Sequence, residues 1–370
     1  MRYIFYFLVF GATLVTTVVI IPLAIRMAYR WNVVDQPGER KVHHTVKPLL
    51  GGVAIFLSFH IIVVGSLIGF LIFHDISWIQ NHFPSIVRLY PRLHSVFPKL
   101  GFIFAGGIFI HIIGLTDDIF KGKVTYKLKF IVQFAVIFLV VLGGIRIDFM
   151  PNRALDIIVS VAWILGITNS FNLLDNMDGL MSGVAVICAG LLFCVAVLQG
   201  QIFFAFILAA LAGACLGFLT YNLYPSRVFM GDSGSLFLGY LFGTITVTGS
   251  YVVKTSSSLL PIAIPVLVFS IPLYDTFSVM FIRWREKRPF FIGDKKHFSH
   301  RLVEIGMSHR SAVIFIYLLC FCVGIVSILL PYISLAAGIL VLVQATTIYI
   351  LITILIAVGR ENKDNAKKAE

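Results

Sequence analysis

Three short stretches of this chain hold side chains suited to phosphoryl chemistry. GLTDDIFKGKVTYKLKF sets Asp117 beside Asp118, with Lys127 nine residues after the second acid. NSFNLLDNMDGL spaces Asn169, Asn172, Asp175 and Asp178 three apart, with Asn176 among them, and FMGDSGSLFLGY surrounds Asp232 with Gly231, Gly234 and two serines. Carboxylates and amide oxygens suit a hard cation such as Mg2+, and a glycine turn at a helix start offers N–H groups to phosphate oxygens. A fourth stretch, RWREKRPFFIGDKKHFSHRLVEIGMSHR, carries eight Lys or Arg residues with His297, His300 and His309. Those are donors matched to phosphate. Phosphoryl transfer asks little of a protein beyond charge neutralisation, positioning and a base. The four stretches together point to a diphosphate held with Mg2+.

Each stretch also has a plainer reading. Asp178 and Asp232 could cap helices, the basic loop could be drawn to anionic lipid, and the acid pair could be balanced by Lys121, Lys123 and Lys127. Capping does not account for Asp117 and Asp118, which fall at the carboxyl end of an apolar segment, where the helix dipole disfavours acids. Neighbours on a helix point about 100° apart, so the two acids divide their duties. Groups spaced by three drift about 60° per step, which predicts a helix break between Asn169 and Asp178. Asp275 lies inside an apolar segment, where an acid is costly and is expected to be functional or paired; Arg283 is a candidate partner. Arg40, Lys41, His43 and His44 form a charged turn that faces either substrate or solvent.

Membrane helices must position these groups. The 370 residues are 59% hydrophobic and 12% charged, with a mean hydropathy of +0.97, which excludes an ordinary soluble domain and gives nucleic acid no role. Continuous apolar runs rather than short alternating ones predict an all-α, polytopic integral membrane protein. Spans are expected near 2–27, 50–74, 99–116, 129–147, 155–171, 179–199, 201–220, 233–252, 259–281, 313–331 and 334–358, eleven in all. The first has no small-residue cleavage site after it and reads as a retained helix. Residues 1–370 read as one transmembrane domain, with 282–312 a basic loop inside it and the charged tail RENKDNAKKAE a solvated end. All five cysteines fall in spans and read as packing residues. Loops on the side of the four stretches hold 22 of the 29 Lys and Arg residues, which makes that side cytoplasmic.

The GLTDD segment with Lys127, then NxxNLLDxxDGL, GDSGS and a late His-rich basic loop, resembles the polyprenyl-phosphate N-acetylhexosamine-1-phosphate transferases over nearly the whole chain. The resemblance implies that sugar-1-phosphate passes from a UDP-N-acetylhexosamine to undecaprenyl phosphate, with release of UMP and a need for Mg2+, Mn2+ substituting. It assigns Asp117 and Asp118 to catalysis and Asn172 and Asp232 to the metal. It places Asp178 near uracil, Lys127 near phosphate, and His297, His300 and Arg301 near the sugar or pyrophosphate; Asp175 joins the substrate site without a defined contact. HFSHRL is similar to the N-acetylglucosamine branch, which starts cell-surface glycans such as lipopolysaccharide or teichoic acid. The alternative donor is UDP-MurNAc-pentapeptide, and the alternative class is a transporter or flippase for an anionic lipid or metabolite. The expected location is the inner membrane with the site on its cytoplasmic face, among membrane lipid, and a homodimer is admitted.

Overall fold

A computed structural model describes residues 2–36, 45–87, 90, 93–120, 123–251, 259–289 and 296–369. Arg40, Lys41, His43, His44, Lys121 and residues 290–295 of the basic loop lie outside the described residues. Contacts sort the chain into two compact units, one ending at Gly249 and the other beginning its main run at Ser250.

The first unit holds α1 (Arg2–Arg30), α2 (Gly51–Phe73), the short α3 (Ser77–His82) and α4 (Pro84–Val87), α5 (Leu93–Ile119), α6 (Tyr126–Leu142), α7 (Arg153–Leu174), α8 (Leu180–Leu198), α9 (Ile202–Asn222) and α10 (Gly231–Thr248). A two-residue antiparallel ladder, β1 (Val34–Asp35) with β2 (Lys47–Pro48), precedes α2. Helix starts follow side-chain chemistry: Thr125 Oγ1 accepts the Leu128 N–H at α6, and Asn152 Oδ1 accepts that of Leu155 at α7. The predicted break before Asp178 is present, because α7 ends at Leu174 and Gly179, with φ +77°, turns the chain into α8. Nearly every residue of α10 is buried, and it packs on α5 and α7. Its Gly239 and Gly243 meet the α7 backbone so closely that an added Cβ would stand 2.7 Å from Thr168 Cα and 2.9 Å from Ile164 Cα.

The second unit holds α11 (Ile264–Val268), α12 (Ser270–Arg285), α13 (Phe298–Glu304), α14 (His309–Ile325) and α15 (Leu335–Ala369). Leu260–Val268 and Ser270–Arg285 meet at a 73° bend in a segment that carries Pro261, Pro265 and Pro272. The charged tail is exposed, as expected, and forms the end of α15, where Arg360 pairs with Glu304 and Lys363 Nζ donates to the Glu304 carbonyl at 2.7 Å.

The fold is all-α and polytopic, but the expected count of eleven spans is not reproduced. Among the described residues eight helices are long and apolar enough to cross a bilayer, or nine if the bent pair is one span. The 17-residue α6 and 18-residue α10 fall outside that set. Helix α6 is short for a span, and α10 opens on the polar run from Gly231 to Ser235. None of the five cysteines is disulfide-bonded.

Candidate active site

Asp117 and Asp118 occupy the last turn of α5, only 9% and 7% exposed. They do divide their duties. Asp118 Oδ1 accepts the Asp232 N–H at 2.8 Å and Oδ2 accepts the Ser233 N–H at 3.0 Å. These are among the first donors of α10, whose own N-cap position, Met230, makes no side-chain cap. Asp118 therefore caps α10 from another helix. The fit depends on two glycines: Gly231 has φ +73° and a Cβ there would lie 2.5 Å from Asp118 Oδ2, while a Cβ on Gly114 would lie 2.5 Å from the Asp232 carbonyl oxygen. Two of the glycine-turn N–H groups expected to meet phosphate are thus already bonded to Asp118.

Asp117 faces elsewhere. Its Oδ2 accepts from Lys129 Nζ at 2.9 Å, and the same ammonium reaches Asp232 Oδ2 at 2.6 Å. Asp232 Oδ1 takes a 2.9 Å bond from Asn172 Nδ2, which also donates to Ser235 Oγ at 2.9 Å. Four helices, α5, α6, α7 and α10, thereby converge on one polar cluster. Asp117 Oδ1 is buried within it with no hydrogen-bond partner among the described residues. One turn along α6 and α7, Asn169 Nδ2 donates to Gln133 Oε1 at 2.9 Å, so an amide pair fixes the spacing of the helices that carry Lys129 and Asn172.

The loop between α7 and α8 completes this wall. Asp178 Oδ2 accepts the Ser226 N–H at 2.9 Å, and Lys47 donates to the Ser226 carbonyl. Asn222 ties the same loop down: its Oδ1 accepts from Gly179 N and Ser182 Oγ, and its Nδ2 donates to the Val228 carbonyl. Asp178 therefore braces a neighbouring loop rather than capping α8. Asp175, just past the end of α7, has its pKa pushed up to about 7, first by burial and then by the charges of Asp232 and Asp178.

Lys127 is not brought into the cluster. It is exposed on α6, and two residues along a helix point about 200° apart, so Lys127 and Lys129 cannot both face the acids.

In the second unit Asp275 is 1% exposed, and its Oδ2 lies 2.8 Å from His297 Nδ1 while Oδ1 accepts the Phe298 N–H at 2.5 Å. One carboxylate thus orients His297 and caps α13. Arg301, also on α13, donates to Ser278 Oγ at 2.5 Å, and its guanidinium lies over the rings of Tyr274 and Phe298 at 5.7 and 5.9 Å. His300 follows on the same helix and is half-buried.

Comparison with known proteins accords with this geometry. Residues 100–250, which hold every member of the first cluster, match glycosyl transferase family 4. A probable undecaprenyl-phosphate N-acetylglucosaminyl 1-phosphate transferase of Bacillus subtilis is 33% identical over 87% of this chain and 84% of its own. The chain belongs to the polyprenyl-phosphate sugar-phosphate transferases of glycosyl transferase family 4. A decaprenyl-phosphate N-acetylglucosaminephosphotransferase of Mycobacterium tuberculosis is 31% identical over 79% of the chain and 74% of its own length. A phospho-N-acetylmuramoyl-pentapeptide-transferase of Staphylococcus saprophyticus is 31% identical over 65% and 75%.

Reading by sequence missed Lys129, Gln133, Asn222 and Ser235 in this transferase. A usable signal was present for two of them: Thr125, Lys129 and Gln133 recur every fourth residue from the N-cap of α6, a polar stripe that excludes Lys127. Asn222 gave no such signal, since Gly179 and Ser182 are distant in sequence, whereas Ser235 lies in the GDSGS motif but was given no partner.

Proposed function

We propose that this transferase moves N-acetylglucosamine-1-phosphate from UDP-GlcNAc to undecaprenyl phosphate, releasing UMP, at the cytoplasmic face of the inner membrane. The observation that carries the reading is the cluster of Asp117, Asp232, Asn172 and Lys129 at the ends of membrane helices. Two longer matches are to N-acetylglucosamine enzymes, and the muramoyl-pentapeptide relative covers less of the chain, which favours the smaller donor. The excess of Lys and Arg in loops on the site's side supports the cytoplasmic orientation.

The residues fit a Mg2+ ion. Asp117 has a buried oxygen without a partner, Asp232 is a second carboxylate, and Asn172 uses its Nδ2 on Asp232 and Ser235, which leaves Oδ1 as its ligand atom. Among the described residues no three His, Cys, Asp or Glu side chains could hold a metal together, which suits an ion that keeps waters and takes the rest of its ligands from substrate phosphates. When bound, Mg2+ would supply charge neutralisation at the diphosphate.

A phosphate monoester has a second pKa of about 6, so the lipid acceptor is largely ionised at neutral pH and needs little help to become a nucleophile. Its oxygen attacks the β-phosphorus of the UDP-sugar. One P–O bond forms there, the bond from that phosphorus to the oxygen shared with the α-phosphate breaks, and UMP leaves with the electron pair. Asp117 orients the acceptor and takes any residual proton on the carboxylate oxygen that the ion leaves free. Asp118, with both oxygens on backbone N–H groups, holds Asp232 in place.

The test offers purified protein undecaprenyl phosphate and Mg2+ with UDP-GlcNAc, UDP-GalNAc or UDP-MurNAc-pentapeptide separately, and measures UMP and lipid product. Product from UDP-GlcNAc is expected. Product from the pentapeptide donor alone would replace the donor assignment, and UMP-independent solute movement without any product would replace the reaction. A phosphorylated enzyme trapped with UDP-sugar alone would replace direct attack by a covalent route.

A further inference from the structure

Lys129 is the one side chain that touches both carboxylates of the cluster among the described residues. Its Nζ lies 2.9 Å from Asp117 Oδ2 and 2.6 Å from Asp232 Oδ2, so a single ammonium sits between the two acids. Helix α5 supplies one acid, α10 the other, and α6 the cation. Without a positive charge between them, two part-buried carboxylates that share one ammonium would repel. Lys129 lies on the face of α6 that Gln133 and its Asn169 partner hold against α7, so its approach is built into the helix packing. The orphan Asp117 Oδ1 lies on the same carboxylate and is buried.

We propose that Lys129 is a resident counter-ion occupying the seat between Asp117 and Asp232, and that a divalent cation enters by displacing it. The inference rests on the reading above that these acids hold a divalent ion. Lys129 Nζ keeps the acids at binding distance while the seat is without metal. On metal entry it leaves the carboxylates, and its charge becomes available to the anionic substrates that arrive with the cation. Displacement makes metal affinity lower than the acids alone would give, because each bound ion must break two charge-assisted hydrogen bonds. The site would therefore fill most readily when substrate phosphates offer the displaced ammonium a new partner. Metal and donor then bind with positive coupling, of a size usual for linked sites, about 5- to 150-fold.

Two measurements test this. The first is a Mn2+ titration followed by electron paramagnetic resonance on wild type, Lys129→Met and Asp232→Asn. Wild type is expected to bind, Lys129→Met to bind about 10-fold or more tighter, and Asp232→Asn to lose the site. Equal or weaker binding by Lys129→Met, with wild type intact, would overturn the displacement while leaving the metal reading in place. No binding by any of the three would overturn both. The second uses only wild type, so that a poorly folded variant cannot obscure the answer. Lysines are acetylated briefly with and without Mg2+, and modification is mapped by mass spectrometry. Lys129 labelling is expected to rise several-fold with Mg2+ while Lys127, exposed in both conditions, stays constant. Unchanged or reduced labelling of Lys129 would overturn the proposal.

Discussion

The same device occurs twice in this molecule with different consequences. At the start of α10, Asp118 reaches from α5 to two backbone N–H groups; at the start of α13, Asp275 reaches from α12 to one backbone N–H and to the His297 ring. Both carboxylates cap a helix on which other candidate site residues stand. The first has both oxygens on backbone N–H groups, and the proposed reaction gives the chemistry to the neighbouring Asp117. In the second, a single acid does both jobs, since the group it orients is itself a candidate ligand. An acid in an apolar helix thus need not touch substrate to matter, and its partners show which task it has.

Substitutions separate the two tasks. Asp117→Asn should remove at least about 100-fold of turnover, because it neutralises the acid with the unpartnered oxygen, while thermal unfolding in detergent stays close to wild type. Asp118→Asn should act on the fold instead. Its amide must turn one NH2 toward a backbone N–H, at a cost of roughly 1–3 kcal/mol, seen as earlier unfolding. A folded Asp118→Asn of wild-type stability but no turnover would break the distinction. Asp275→Asn still offers an oxygen to Phe298 but can no longer accept from His297 Nδ1, so the donor KM should rise about 10-fold with a smaller change in kcat. A change confined to stability would reduce Asp275 to the kind of cap that Asp118 is.

The smallest effect concerns Asp175. Its pKa is raised to about 7 in the folded protein from an ordinary value near 4, so the folded state binds more protons than the unfolded one between those values. Stability should fall as pH rises through that window and level off above it. In EDTA, wild type should therefore lose on the order of 2–4 °C more in melting temperature between pH 5 and pH 8 than Asp175→Asn. Parallel curves for the two proteins would show that Asp175 does not titrate in that range.

Much of this arrangement is legible in the sequence. Apolar runs locate the helices, the spacing of Asn169 to Asp178 locates the break, and Asp117, Asn172 and Asp232 stand out by residue type in their motifs and meet in one cluster, joined through Lys129 and an amide bond. Two things were not legible. Of the eleven expected spans, α6 and α10 do not stand out as bilayer-crossing helices, because α6 is only 17 residues long and α10 opens on Asp232 among glycines and serines. Partner choice failed as well: which of Lys127 and Lys129 meets the acids depends on the rotation of α6, and the tie between Asp118 and α10 joins residues more than a hundred positions apart.

The central claim is that Asp117 acts while Asp118 builds. Its most direct test is UMP release from UDP-GlcNAc with undecaprenyl phosphate and saturating Mg2+, measured for Asp117→Asn and Asp118→Asn and normalised to the folded fraction of each. The account predicts turnover at least about 100-fold below wild type for Asp117→Asn and far higher turnover per folded molecule for Asp118→Asn. Full activity in Asp117→Asn, or none in fully folded Asp118→Asn, would contradict it.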